Sequence, residues 1–442
     1  MRDVIFLMMT LAGSLVGFAR PTVGCLLFVF FGFFSPQSFT WGFGREFPAS
    51  QLLALATLGG ALLSKELRHY RFQGEIAILG LLWFLFLNST IFALAPVVAW
   101  ERFVDVSKIL LMVIVTTILV NRPDSLRWLM RIIGLSIGFY GLKGGWFAIA
   151  SGGGFLVYGP ELSFLNANNS IGLAMAVNLP ILYFLYNTES NRWLRRLCLV
   201  MLMFSYPAIV CTYSRGAWLG LGVASTLMVL KSQNRFFIIP TAAVLAVALA
   251  LIVPVIAPER LSQRYDTLVN YEKDPSAVSR FWNWESCRRV GVSRPFTGGG
   301  FSYYHRSVTS EYYPEFAARW PGKTWSCHNA ALTVLAEHGV FAFVLWLALF
   351  GFSFMNLKRL RAYGRADPGR SELVLYAAML QTSMITYFVV GMFLDAAYFD
   401  MIYYLVGVIV VLKTIHFGAV QNTQSLAYRH QAARPAAQIL AH

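Results

Sequence analysis

Residues 327–356 read CHNAALTVLAEHGVFAFVLWLALFGFSFMN, a polar head that runs directly into an apolar tail. The tail continues from His338 almost to Lys358, and about 20 apolar residues suffice to cross the hydrocarbon core of a bilayer. The head carries His328, Glu337 and His338. This stretch therefore predicts a membrane-spanning helix with ionisable residues at its aqueous end.

The rest of the chain repeats the apolar pattern. Of its 442 residues, 57% are hydrophobic and only 13% are charged, which excludes an ordinary soluble domain. The sequence predicts an all-α polytopic membrane protein with about 12 transmembrane helices. The apolar runs are 4–19, 22–35, 50–64, 74–94, 104–120, 132–150, 170–187, 197–213, 217–231, 236–256, 338–356, 373–394 and 399–415.

Basic residues cluster in alternate connections between these runs, at 65–71, 122–131, 192–196, 231–235 and 358–370. This positive-inside pattern predicts that those connections are cytoplasmic, so the formal charge of +15 indicates membrane orientation and no nucleic-acid partner. We predict transmembrane helices with short loops over 1–256, a large periplasmic segment carrying much of the active site over 257–337, C-terminal transmembrane helices over 338–415, and a polar cytoplasmic tail over 416–442.

The 257–337 segment combines arginines with aromatic residues. Guanidinium groups bind phosphate oxygens in pairs, and aromatic rings stack on sugars, so the combination suits a glycosylated, phosphate-bearing lipid. Helical spacing places Arg280 and Trp284 on one face, with Arg288 two turns further on beside Arg289. The turn Pro295–Phe301 offers amides to a diphosphate or serves as a plain hinge. The alternative for the whole segment is a solvated loop whose charges nearly cancel.

His328 and His338 are the candidate proton acceptors, because imidazole titrates near neutral pH. A continuous helix would place His328 about 15 Å outside His338, which lies near headgroup depth. Arg215 occupies a short turn between two apolar runs, where it binds an anionic partner or anchors to headgroups. The alternative for each histidine is a structural role.

Lys143 is an ionisable residue inside an apolar run and requires a counter-charge or a water-filled cavity. Asp105 and Glu101 are the candidate counter-charges, and a substrate cavity and a structural ion pair both stay open. The five cysteines have no metal-ligand spacing, and we predict no metal site. Cys287 and Cys327 share the polar segment, either as a disulfide or as free thiols.

These patterns together resemble the O-antigen ligase family, which shares a core with O-antigen polymerases and protein O-oligosaccharyltransferases. The resemblance covers most of the chain and is most specific between Asn168 and Gly339. The opening stretch and His338 also resemble the exosortase-associated O-glycosylation ligase branch. The motifs that carry it are Asn168-Asn169 with Gly172 and Pro180, Ser214-Arg215-Gly216, Arg280 with Trp284, Pro295 with Gly298–Gly300, and His328-Asn329 with Glu337 and Gly339.

The resemblance implies a metal-independent, inverting glycosyltransferase of lipopolysaccharide biosynthesis that needs no cofactor. Its donor would be a glycan on undecaprenyl diphosphate, its acceptor lipid A–core, and its site the periplasmic face of the bacterial inner membrane. The family's His-Asn motif corresponds to His328 and Asn329, and its essential arginines to Arg215 and one of Arg280 or Arg288. Ala342 departs from the family pattern, so the choice of base between His328 and His338 stays open. The predicted binding residues are Arg215, Arg280, Arg288, Arg289, Asn329 and Trp284.

Three alternatives remain at this point. A polymerase or a protein-glycosylating ligase differs from the ligase only in its acceptor. A flippase for lipid-linked oligosaccharides predicts charged cavities within the spans and no catalytic histidine. A non-catalytic scaffold would tolerate alanine at Arg215 and at both histidines.

Overall fold

The computed structural model describes residues 1–64, 73–232, 275–324 and 326–417, and within these ranges the chain is helical and has no strand. The predicted span 236–256, the start of the polar segment up to residue 274 and the tail from 418 lie outside the described residues. The helices are α1 (Arg2–Ala19), α2 (Pro21–Phe34), α3 (Ala49–Leu63), α4 (Gly74–Ile91), α5 (Pro96–Leu119), α6 (Pro123–Ala150), α7 (Asn168–Thr188), α8 (Arg192–Val210), α9 (Arg215–Lys231), α10 (Pro275–Ser293), α11 (Arg306–Tyr312), α12 (Pro314–Arg319), α13 (Ala330–Arg365), α14 (Ser371–Gly391) and α15 (Asp400–Phe417).

Within the described ranges, 8 helices are long and apolar enough to cross a membrane: α1, α4, α6, α7, α8, α13, α14 with its preceding turn, and α15. The predicted count of about 12 is not reached there. Helices α2 and α3 have only 14 and 15 residues, and α9 has 17. Helix α5 has 24 residues, but its first half carries Glu101, Arg102, Asp105 and Lys108. The chain is an all-helical, multi-pass membrane protein.

Helix boundaries follow local sequence signals. Proline occupies the first turn of α2, α5 and α6, where its missing N–H costs no hydrogen bond. The side chains of Asn191 and Ser214 cap the first turns of α8 and α9. Helices α1 and α2 are joined by Arg20 alone. They pack closely, because a Cβ atom on Gly24 would lie 2.6 Å from the Cα atom of Gly17.

Contacts between connections define two ends of the helical bundle. At the first, which we call the polar end, Ser38 donates to the Glu161 carbonyl (2.6 Å), and the amide of Leu94 donates to the Gly299 carbonyl (2.8 Å). Segments 36–49 and 151–169 therefore meet there, as does the described part of the polar segment. At the opposite end, Arg131 pairs with Glu189 (2.7 Å). The sidedness of the two ends in the membrane stays a prediction.

Helix α7 forms the centre of the bundle and is the most buried of the candidate spans. It packs against α6, α8, α9 and α14. The amide of Asn178 donates to the Gly134 carbonyl of α6 (3.0 Å). At the polar end, the Asn168 amide donates to the Thr212 carbonyl (2.8 Å) and fixes the first turn of α7 beside that of α9.

Helix α13 is broken at Gly339, whose φ of 81° and ψ of −177° lie in a region that only glycine adopts readily. The break frees backbone groups, and the turn before it satisfies them. Gly299 donates to the Ala336 carbonyl (2.8 Å), Gly300 donates to the Glu337 carbonyl (2.9 Å), and Val340 donates to the Pro295 carbonyl (2.9 Å). The 295–300 turn is therefore the structural complement of this break.

Gly339→Ala is expected to lower the free energy of unfolding by about 2–5 kcal/mol. A Cβ atom there would lie 2.6 Å from the carbonyl carbon of Pro295 and 2.7 Å from the carbonyl oxygen of Arg294, both of them backbone atoms. Gly351→Ala on the same helix is the matched control, since its Cβ would meet nothing within 4 Å. Thermal unfolding in detergent compares the two variants, and equal midpoints would contradict this account of the break.

Candidate active site

The connection between α14 and α15, residues 392–399, is the centre of the polar end. Its Asp395 contacts His328, and its Tyr398 contacts Glu337 and His338. Its Phe393 lies 5.9 Å from the guanidinium carbon of Arg280. A single connection therefore links His328, His338 and Arg280 of the predicted site, although none of its own residues was predicted.

His328 and Asp395 form a dyad. The Nδ1 atom of His328 lies 2.9 Å from Asp395 Oδ2, and the His328 side chain is 46% exposed. The His328 amide also donates to Asp395 Oδ1 (2.7 Å). Since Asp395 occupies Nδ1, the Nε2 atom is left as the imidazole nitrogen that can face a substrate.

The Asp395 carboxylate is stabilised in its charged form. Burial alone would raise its pKa, but hydrogen bonds from His328 and Ser326 outweigh burial and hold the pKa below its ordinary value. The Ser326 hydroxyl donates to Oδ2 at 2.5 Å. His328 itself has φ of 47°, a left-handed backbone conformation that side chains other than glycine seldom adopt. Such backbone strain clusters at functional sites.

A cavity of about 650 Å³ opens beside this dyad. Its walls come from α2, α5, the start of α7 and the 392–399 connection. Lys108 pairs with Asp105 (3.1 Å), so one cation of the wall already has a partially exposed carboxylate partner. The ionisable side chains of the lining are Arg102, Asp105, Lys108, His328, Asp395 and Asp400. The cavity can therefore accept a polar, charged ligand next to a candidate base.

His338 is placed very differently, with a side chain that is 0% exposed. Its Nδ1 atom lies 2.5 Å from Ser89 Oγ, and its Nε2 atom lies 2.6 Å from the Tyr398 hydroxyl, which donates to Glu337 Oε2 (2.6 Å). The ring lies 4.2 Å from that of Phe86. Both nitrogens thus have protein partners, and the imidazole is enclosed by side chains.

Three further predicted residues lie around the 392–399 connection. Asn329 caps α13, accepting from the amides of Ala331 and Leu332 at 3.1 Å each. Arg215 opens α9, and a Cβ atom on the neighbouring Gly216 would lie 3.5 Å from Cβ of Phe393. Arg280 approaches the ring of the same Phe393. Arg280 thus approaches Phe393, two residues before Asp395, and Arg215 begins the helix whose second residue lies beside the same phenylalanine. Neither arginine lines the cavity beside His328.

Arg288 and Arg289 belong to an ion-pair cluster on α10. Arg288 donates to both oxygens of Glu285 at 2.8 Å, and Arg289 donates to Glu285 (2.9 Å) and to Glu315 (3.1 Å). The hydrogen bond from Arg288 is the main cause that lowers the pKa of Glu285 to about 2, with Arg289 adding to it against slight burial. Trp284 packs edge-on against Phe281. Arg288, Arg289 and Trp284 do not line the cavity beside His328.

The amides of the glycine turn are already used. Gly298 donates to the Arg294 carbonyl (2.8 Å), while Gly299 and Gly300 donate to the broken helix α13. The interpretation that these amides approach a diphosphate is therefore wrong, because each has a backbone acceptor. These bonds anchor the turn to the break in α13, and the hinge alternative stays a prediction.

Cys287 and Cys327 form a disulfide, with Cα atoms 6.0 Å apart and a sequence separation of 40. The bond joins α10 to the residue immediately before His328. Both sulfurs are buried, and the Tyr303 hydroxyl lies 3.3 Å from that of Cys287. The disulfide alternative of the sequence analysis is confirmed, and the bond restrains the segment that carries the dyad.

Replacing Cys287 and Cys327 together with serine is expected to lower the free energy of unfolding by about 2–4 kcal/mol, because the bond closes a long loop in the unfolded chain. Thermal unfolding with and without reductant tests this prediction. Reductant should lower the midpoint of the wild type and leave the double variant unchanged. A reductant effect of equal size on both proteins would contradict the assignment of the stability to this bond.

Sequence reasoning missed the acidic wall of the cavity and its two cations. Asp395 and Asp400 lie at the edges of apolar runs 373–394 and 399–415, and Arg102 and Lys108 lie at the edge of run 104–120. Ionisable residues at such edges were the available signal, since they are costly unless they face a partner or water. Across the described ranges, no group of three His, Cys, Asp or Glu side chains is arranged to hold a metal ion.

Comparison with known protein families divides the chain into two matched regions. Residues 1–190 match a family of unknown function (DUF5935), and residues 198–347 match the family described as O-antigen ligase. No curated protein matches the chain. The second match contains Arg215, Arg280, His328 and His338, four of the residues on which the resemblance was based. Residues 198–347 are thus similar to the O-antigen ligase family, and the chain is a multi-pass membrane protein.

Proposed function

We propose that this protein is an O-antigen ligase: an inverting, metal-independent glycosyltransferase that moves a glycan from undecaprenyl diphosphate to lipid A–core. The observation that carries the proposal is the His328–Asp395 dyad, in which a half-exposed imidazole faces a cavity of about 650 Å³. A histidine oriented by a carboxylate through Nδ1 is a competent general base at Nε2. The match of residues 198–347 to the O-antigen ligase family supports the reaction class.

In the proposed reaction, His328 Nε2 takes the proton of an acceptor hydroxyl. The hydroxyl oxygen attacks the anomeric carbon, a new C–O bond forms, and the bond from that carbon to the diphosphate oxygen breaks. Undecaprenyl diphosphate leaves with the bonding electron pair, and the configuration at the anomeric carbon inverts. The lipid diphosphate is already activated, so no nucleotide or other cofactor is required. Asp395 stabilises the imidazolium that forms.

The leaving diphosphate requires positive charge that is present before the reaction. Arg280, which approaches Phe393, and Arg215, whose neighbour Gly216 lies beside the same ring, are the proposed guanidinium groups. Arg102 and Lys108 are cations of the cavity lining itself. Arg288 and Arg289 pair with the carboxylates of Glu285 and Glu315. We therefore assign them a structural role in the polar segment and not direct phosphate binding.

This assignment favours His328 over His338 as the base. The enclosed His338 would have to give up Ser89 or Tyr398 before reaching a sugar hydroxyl. We further propose that the polar end faces the periplasm and that the protein resides in the bacterial inner membrane. The distribution of basic residues supports this orientation, because Arg127 and Arg131 lie at the opposite end.

A polymerase or a protein O-oligosaccharyltransferase uses the same donor and the same base, and differs in the hydroxyl that attacks. A flippase requires no base. The decisive experiment incubates purified protein with undecaprenyl-diphosphate-linked glycan, chelator and one acceptor at a time: lipid A–core, a second lipid-linked glycan, or an acceptor protein.

A glycosylated lipid A–core that forms in chelator, and is lost in His328→Ala, supports the ligase. Product on only one of the other acceptors would reassign the protein to that activity. Glycan movement across vesicles without any covalent product would instead indicate a flippase. A requirement for added divalent metal would overturn the metal-independent mechanism separately.

A further inference from the structure

Lys143 lies on the lipid-facing side of α6, close to the polar end, and the proposed reaction does not use it. Its side chain is exposed, as is that of Trp146 one turn later. Trp128, near the other end of α6, is also exposed. The two tryptophans are separated by about 27 Å along the helix, close to the thickness of about 30 Å of a hydrocarbon core. Since tryptophan marks membrane interfaces, Lys143 lies one turn inside the interface at the polar end.

Arg131 occupies the equivalent depth at the other interface, one turn inside Trp128. It has a carboxylate partner, Glu189, at 2.7 Å. Lys143 has none among the described residues, and its ammonium lies 5.8 Å from the centre of the Phe39 ring. Of its two predicted counter-charges, Asp105 pairs with Lys108 instead. The structure therefore does not support the ion-pair alternative for Lys143, and its ammonium still requires a negative charge.

A separate cavity of about 380 Å³ surrounds Lys143. Its lining is largely apolar and aromatic, and includes Phe39, Phe147 and the exposed phenol of Tyr158. Glu161 is the one acidic side chain of the lining, and it already pairs with Arg45. When Arg45 is counted with its partner Glu161, the charges at the pocket sum to one positive charge, that of Lys143, which suits an anion with an apolar tail.

We propose that this pocket binds the phosphate of an anionic membrane lipid, with Lys143 as its cation. The phosphate would meet the ammonium and the Tyr158 hydroxyl, while the first carbons of the lipid chain would lie along Phe39 and Phe147. A lipid is favoured over a soluble anion because the exposed neighbours of Lys143 on α6, Trp146 and Phe147, are apolar and face the bilayer. This inference goes beyond the proposed transferase reaction and does not depend on it.

The pocket adjoins the catalytic cavity. Ser38 and Phe39 line the pocket, while Ser35 and Gln37 line the cavity. In a second segment, Glu161 lines the pocket and the next residue, Leu162, lines the cavity. A lipid bound at Lys143 would thus contact the two segments that lie between it and the reaction cavity.

The test measures lipid binding to purified protein by native mass spectrometry, with phosphatidylglycerol, phosphatidylcholine and inorganic phosphate as probes. We expect phosphatidylglycerol to bind more tightly than phosphatidylcholine, and Lys143→Met to weaken that binding by about fivefold, the effect of one interfacial lysine. Lys143→Arg should restore it. Lys358→Met is the matched control, because Lys358 is also exposed and lies over an aromatic ring, Phe354, at 5.6 Å.

Equal losses in Lys143→Met and Lys358→Met would mean non-specific attraction and overturn the proposal. Millimolar inorganic phosphate that displaces the lipid would overturn the lipid part, since the site would then recognise a soluble anion. The wild-type protein gives an independent test. If it binds phosphatidylglycerol no more tightly than phosphatidylcholine, the proposal is wrong. Thermal midpoints of the variants separate loss of binding from loss of fold.

Discussion

His328→Ala is expected to lower the rate of glycosyl transfer by about 10²- to 10⁴-fold, the usual contribution of a general base. The imidazole is 46% exposed and lies at the cavity, so its removal should change the thermal midpoint little. Turnover measured with saturating donor and acceptor, beside thermal unfolding of the same preparation, checks both parts. His305→Ala is the control, because His305 is an exposed histidine of the same polar segment whose Nδ1 contacts Ser307.

For His338→Ala we expect the opposite pattern, in which the larger effect is on folding stability and not on turnover. It removes a fully buried ring beside Phe86 and Phe301. Ser89 and Tyr398 each lose one of their hydrogen-bond partners and keep the other, the Phe86 carbonyl and Glu337 respectively. The expected cost is about 2–5 kcal/mol of folding free energy. If His328→Ala retained wild-type turnover and His338→Ala abolished it at an unchanged thermal midpoint, the assignment of the base would be reversed.

Asp395→Asn is the second change with a large expected effect, a fall in turnover of about 10²- to 10⁴-fold. Asparagine has the shape of aspartate, but its amide would donate to His328 Nδ1 and move the ring proton to Nε2. The nitrogen that faces the cavity would then carry a hydrogen and could not act as a base. We expect the loss in kcat, with KM for the donor changing little, since Asp395 orients the base.

Asp367→Asn at the opposite end is the matched control for this substitution. Asp367 also accepts a backbone hydrogen bond, from Gly369 at 2.9 Å, but lies far from the dyad in the topology. An Asp395→Asn protein with wild-type kcat would remove the dyad from the mechanism. A large rise in KM alone would make Asp395 a binding residue.

The lowered pKa of Asp395 also gives a direction for acid stability. A carboxyl whose pKa is lower in the folded than in the unfolded state stabilises the fold above its ordinary pKa, and this contribution disappears as the pH falls through the folded value. Between neutral and strongly acidic pH, the wild type should therefore lose more stability than Asp395→Asn. Thermal midpoints of the two proteins over that range test the sign.

Much of the helical architecture could be predicted because apolar length is a local property. The runs around α4, α6, α7, α8, α13, α14 and α15 each became a helix long enough to span. Helices α2 and α3 are too short to meet that rule, and α5 carries four charged residues. The span was predicted to begin near His338, whereas α13 begins at Ala330 and is broken at Gly339.

The candidate site was only partly predictable, because its central contact joins residues far apart in sequence. His328 could be recognised from its motif, whereas Asp395 becomes its neighbour only when α14 returns to the polar end. Helical spacing correctly grouped the arginines of α10, but the same spacing also places Glu285 against Arg288 and Arg289. A one-dimensional pattern does not reveal which of these partners the guanidinium groups contact.

The dyad also has a consequence for how the protein is made. Asp395 lies beyond both matched family regions, which end at residues 190 and 347. A ribosome completes His328 long before Asp395, and Asp395 can reach it only after α14 has been inserted into the membrane. The nascent chain therefore has no oriented base during most of its synthesis. Under the proposed function, glycosyl transfer would begin only once the last helices are in place.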